Sequence, residues 1–116
     1  MYNWHEIPFN IEYPHFLPAK TAFAEGVKKL REHAVYILPY INAVSWEMHD
    51  EEGGHAVTFR NTGCHGAVLD ENGEYQVEDY PQKTRRTGKT AKLAPMCPTW
   101  NEWGSLMEAL VREMER

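Results

Sequence analysis

The sequence has no apolar run approaching the ~18 to 20 residues that a membrane-spanning helix requires, which argues against a membrane role. Its opening, MYNWHEIPFN, lacks the basic start, apolar centre and small-residue cleavage site of a secretory leader. Cysteine is scarce. Cys64 and Cys97 are the only two, so no disulfide framework can be read from them and no compartment is assigned. Basic residues are in deficit as well, 12 against 17 acidic, for a net charge of -5. They cluster in EGVKKLRE and in QKTRRTGKTAK, and no aromatic is interleaved in the latter to stack bases, which speaks against nucleic acid as a partner.

What is present suits a small globular domain: 116 residues, 42% hydrophobic and 25% charged, enough to bury a modest core. TAFAEGVKKLREH sets Phe23, Val27 and Leu30 on one stripe and predicts a helix over 21–32, with Thr21 as N-cap and Glu25 in its first turn. AVYILPY follows at once, continuously apolar and rich in β-branched and aromatic residues. It predicts a strand over 34–40, buried on both faces in a parallel sheet and ended by Pro39.

The strand that should precede the helix can only be a stub over 1–4, because residues 5–20, with Pro8, Pro14 and Pro18, read as an irregular loop. Residues 41–100 read as one long decorated loop. It carries a hairpin, GAVLDENGEYQVEDY, around an Asp-Glu-Asn-Gly turn and a short apolar piece, APMCP. NEWGSLMEALVREMER aligns Trp103, Leu106, Leu110 and Met114 and predicts a helix over 101–116. The order amounts to about two βα units. The expected fold class is therefore α/β, an open parallel sheet or a barrel; a (β/α)8 TIM barrel needs ~250 residues, so this chain could supply only about two of its eight units.

Ligand-like chemistry concentrates in the loops after the two strands, on the side where such barrels keep their sites. Trp4 and His5 end the first strand; Tyr40, Asn42 and Trp46 follow the second. Adjacent parallel strands would bring both sets to one rim, where aromatic rings with a few amide and imidazole groups suit a sugar. No metal site is expected, because Cys64, His65, Cys97, His49 and His55 show none of the ligand spacings that fix a metal on one element. Glu6 and Glu47 are the only acids close behind the strand ends, and they form no recognisable catalytic pair. No catalytic residue and no cofactor is assigned.

The stretches NWHEIPFNIEYPHFLPAKTAFAEGVKKLREHAVYILPYINAVSW, DENGEYQVEDY and APMCPTWNEWGSLMEALV together resemble a family of glycoside-hydrolase-like TIM-barrel proteins. That family is distantly similar to endo-α-N-acetylgalactosaminidases and other retaining α-glycosidases. The resemblance implies a carbohydrate partner, an α-linked glycoside, and a segment that lines the substrate pocket through Trp4, His5, Tyr40, Asn42 and Trp46, with Met96 and Cys97 near a third strand end. It also implies that the catalytic carboxylates lie beyond Arg116 and that the remainder of the barrel is needed to close the fold. The alternatives are a non-catalytic carbohydrate-binding or assembly module and a small stand-alone α/β domain.

Overall fold

A computed structural model describes residues 4–7, 12–48, 57–83 and 90–115. Helix α1 spans Thr21–Glu32, strand β1 Ser45–Glu47, helix α2 Val57–Asn61, strand β2 Glu78–Lys83, strand β3 Thr90–Pro95 and helix α3 Asn101–Glu115. A single 3₁₀ turn, Gly63–His65, follows α2. The strands form one antiparallel sheet in the order β1-β3-β2.

β3 is central, and its sequence TAKLAP shows why: Leu93 and Ala94 are both fully buried, and consecutive strand residues point to opposite faces. Leu93 packs with Trp4, Tyr13, Phe16 and Leu110. Ala94 packs with Trp46, Met48, Phe59, Met96 and Trp103. One strand thus serves two core clusters. Trp46 and Ala94 are register partners, so the small alanine leaves room for the indole across the ladder. β2 contains Pro81, which cannot donate to a ladder; the register shifts between Tyr80 and Lys83, and the strand occupies a flank of the sheet where such an interruption is tolerated.

α3 joins the two clusters through its apolar stripe. Trp103 is buried in one cluster and Leu110 in the other, while Met107 packs against both. Seven residues is two helical turns, about 10 Å of rise, so a single helix face covers both.

The helix expected over 21–32 occupies Thr21–Glu32, but its start differs from expectation. Lys20, not Thr21, is the N-cap, no side chain caps it, and the first turn holds no acid. At its other end the Ala34 N–H bonds Arg31 O and the Val35 N–H bonds Leu30 O, with Ala34 at φ 57°. This is a Schellman closure with alanine where glycine is usual.

The expected strand over 34–40 is not one: residues 35–40 pair with no described strand, and residues 1–3 of the expected stub lie outside the described residues. A strand apolar on both faces needs a layer on each side. Here Ile37 and Pro39 face a groove, whereas Tyr36 and Leu38 are 80% and 88% exposed. The long loop expected over 41–100 instead holds β1, α2, the 3₁₀ turn, β2 and β3. Its Asp-Glu-Asn-Gly turn forms as expected: Asp70 Oδ1 accepts the N–H groups of Asn72 and Glu74 at 2.8 and 3.0 Å, and Gly73 takes φ 81°. The strand after that turn, β2, pairs with β3 rather than folding back as the second arm of the hairpin. The tip of the expected hairpin does fold back on itself: Gly73 N–H donates to Asp70 O, Asp70 N–H to Glu74 O and Gln76 N–H to Val68 O, around an antiparallel Leu69–Tyr75 bridge.

Candidate functional site

Residues 40–46, YINAVSW, were the expected ligand grip, yet the structure grips them from within. Trp4 Nε1 donates to the Tyr40 carbonyl at 2.7 Å, and Trp103 Nε1 donates to the Ala43 carbonyl at 3.1 Å. Asn42 Oδ1 accepts the N–H groups of Val44 and Ser45, both at 3.0 Å. This is the local turn that asparagine side chains favour. Buried indole N–H groups need acceptors, and the carbonyls of this turn supply two. Asn42, only 5% exposed, therefore shapes the backbone that leads into β1, and Tyr40 contributes a carbonyl to the core.

Trp4 and His5 lie together, rings edge-on at 5.3 Å, and both are buried. His5 Nδ1 donates to the Ile7 carbonyl at 2.8 Å, which fixes the hydrogen on that nitrogen. Burial pushes the His5 pKa below the ordinary imidazole value, Lys20 adds to the effect, and the Ile7 carbonyl opposes it. The ring is thus held neutral. Trp46 belongs to the other cluster, its rings edge-on to His15 and tilted against Trp103 at 5.4 and 6.1 Å. Neither of the two cavities lined by described residues gathers the six expected pocket residues. Trp4 lines one cavity, Trp46 lines a second, and His5, Tyr40, Asn42 and Cys97 line neither.

The first cavity, about 740 Å³, is a groove between α1, residues 37–39 and the end of α3. Trp4, Phe23, Val27, Ile37, Pro39 and Met114 form its apolar walls. α1 itself has no fully buried residue. The second, about 320 Å³, is a cleft whose lining includes His15, Trp46, Asn61, Thr62, Trp100 and Glu102. Its two indoles sit on glycines. A Cβ on Gly63 would lie 2.7 Å from Trp46 Cδ2, and one on Gly66 would lie 1.9 Å from Trp100 Cε3. Trp46 forms the floor, with Nε1 donating to Thr58 Oγ1 at 3.3 Å, and at 2% exposure it shows the cleft little more than an edge. Trp100 is half-buried and offers the larger face. Desolvation lowers the His15 pKa against the opposing pull of Glu12, so that ring also favours its neutral form.

Cys97 works on the backbone. Its N–H donates to Gly66 O at 2.8 Å, and its carbonyl accepts the Trp100 N–H at 3.1 Å, so it holds Trp100 over Gly66. The hydrogen bond with the Thr99 hydroxyl, at 3.1 Å, lowers its thiol pKa, helped by the Thr99 backbone. Cys64 Sγ donates to Arg60 O at 3.1 Å. No group of three metal-ligating side chains occurs among the described residues; His49 and His55 lie outside them. Glu47 Oε2 accepts the Glu12 N–H at 3.4 Å, a loop contact. No described helix is long and apolar enough to cross a membrane.

Trp100, His15, Asn61, Thr62 and Glu102 escape a reading by strand ends, because they come from a loop, a one-turn helix and a helix start. The one local signal was the Gly-x-x-Gly spacing of TGCHG, which seats two aromatic rings that lie distant in sequence.

A protein of Bacteroides thetaiotaomicron named "Putative glycoside hydrolase" is 39% identical to this chain over 46 residues, which is 40% of the chain and 7% of that protein. The chain thus matches a small part of that relative's length. No solved structure matches it significantly. A family model, "Domain of unknown function (DUF6259)", covers residues 1–116; the chain belongs to the DUF6259 family.

Proposed function

We propose that this chain is a substrate-binding segment of a carbohydrate-active, glycoside-hydrolase-like protein built on a (β/α)8 barrel, acting on an α-linked glycoside with catalytic carboxylates supplied from elsewhere in the longer protein. The observation that carries this reading is the 39% identity over 46 residues to the protein named "Putative glycoside hydrolase". Physical features of the chain support the barrel setting. Its radius of gyration is 15.6 Å, against about 13 Å for a compact chain of this length. Its accessible surface is 7798 Å², against about 6,500 Å² for a compact monomer of this mass. Apolar surface is also exposed where a neighbouring layer would sit: Tyr36 and Leu38 of the apolar segment 35–40 are exposed, and α1 has no fully buried residue. Helix and apolar segment with uncovered faces are what one βα unit of a larger barrel presents when viewed alone.

The test is enzymatic. The natural gene product that carries this chain should release 4-nitrophenol from at least one 4-nitrophenyl α-glycoside in a panel covering glucose, galactose, mannose and their 2-acetamido analogues. Absence of turnover on the whole panel, and on natural α-linked oligosaccharides, by folded protein would refute the proposal.

A further inference from the structure

We infer that the cleft between α2, the 3₁₀ turn and the start of α3 is a binding subsite for one neutral hexopyranose ring, stacked on Trp100 above a floor formed by Trp46. The inference rests on the carbohydrate reading above and assigns it a place that the strand-end residues do not supply.

Four observations converge on it. Size is the first: about 320 Å³ sits at the small end of ligand pockets, which suits a single ring rather than an oligosaccharide. The second is the lining. A pyranose has an apolar C–H face and a rim of hydroxyls, so it needs an aromatic surface with donors and acceptors around it. Trp100 supplies the surface, while His15, Asn61, Thr62 and Glu102 stand around it with exposed side chains. A neutral His15 and the Asn61 amide each both donate and accept, as hydroxyl recognition requires.

Charge is the third. No lysine or arginine lines the cleft among the described residues, and its only carboxylate is Glu102, so a phosphate or other anion would find no counter-charge there. Preorganisation is the fourth. Any side chain at residue 63 or 66 would collide with an indole. Cys97 ties the loop before Trp100 to Gly66 by the bond from its N–H to the Gly66 carbonyl. The rings are thereby set in place before a ligand arrives, which reduces the ordering cost of binding.

The experiment is saturation-transfer NMR and titration on the natural gene product with methyl α-glucopyranoside, methyl α-galactopyranoside and methyl 2-acetamido-2-deoxy-α-galactopyranoside. Inorganic phosphate serves as the anionic control. Wild type should bind at least one sugar and not phosphate. Trp100→Ala should weaken that sugar at least about tenfold, and Asn61→Ala several-fold. Asn61 is exposed at the end of α2, so its variant keeps the question open to an answer if Trp100→Ala fails to fold. Sugar affinity within twofold of wild type in both variants would overturn the subsite, as would tight phosphate binding in the cleft. If α-glycosides are still hydrolysed in that case, the carbohydrate function stands and only the subsite falls. If no sugar binds and none is cleaved, both fall.

Discussion

Replacing Gly66 with alanine tests how tightly this small structure is drawn around its tryptophans. Gly66 has φ −113° and ψ 2°, a backbone conformation open to any residue, so the substitution carries no dihedral penalty and its whole cost is contact. The new Cβ would sit 1.9, 2.2 and 2.7 Å from three carbons of the Trp100 ring, distances at which the indole or the turn must move by more than 1 Å. Overpacking of this kind costs about 1–3 kcal/mol; with the Cys97–Gly66 hydrogen bond resisting backbone retreat, a value near 2 kcal/mol is expected. For a chain of this size that lowers Tm by roughly 8–12 °C. Gly104 is the matched control. It lies inside α3 with nothing within 4 Å of an added Cβ, and Gly104→Ala should stabilise by about 0.5–1 kcal/mol through helix propensity. Thermal unfolding followed by tryptophan fluorescence checks both, since the first variant should also shift the emission of the displaced indole. If Gly66→Ala melts with wild type and emits unchanged, the indole does not sit on that glycine and the preorganised cleft is wrong.

Ala34→Gly should stabilise the chain by about 1 kcal/mol, because Ala34 adopts φ 57° at the end of α1, where a side chain is strained and glycine is not; a lower urea midpoint in the variant would contradict this. Acid should weaken the fold well before the carboxylates titrate. His5 has a folded pKa below the ordinary 6.5, chiefly because it is buried; partial desolvation moves His15 the same way, but its side chain is largely exposed and it adds little. The unfolded chain therefore takes up the protons first. The contribution of the His5 ring to stability is complete above about pH 6.5 and is lost as pH falls below it toward the folded value. Urea midpoints measured between about pH 7.5 and 5.5 should decline, and His5→Gln should flatten the slope; an unchanged slope would show that His5 is not held neutral.

Much of this protein is written locally. The apolar stripe of Trp103, Leu106, Leu110 and Met114 specifies α3, the DENG tetrad specifies its turn through the Asp70 carboxylate, and the family itself is a property of the residues in order. These depend on side chains within a few positions of one another, which is why a sequence displays them. The sheet is different. β1 has three residues, and β3 was hidden in a basic stretch and a proline-bracketed piece; each becomes a strand only because the other is there to pair with it.

Tertiary structure likewise decided the fate of each aromatic. Trp4, Trp46 and Trp100 have the same ring and the same capacity to stack on a sugar, yet Trp4 is spent on holding the Tyr40 carbonyl and Trp46 on Ala94 and Gly63. Only Trp100 keeps much of its surface at a cleft. Whether an indole is core or recognition surface depends on which distant atoms cover it, and that is a matter of packing across the chain that no local pattern encodes.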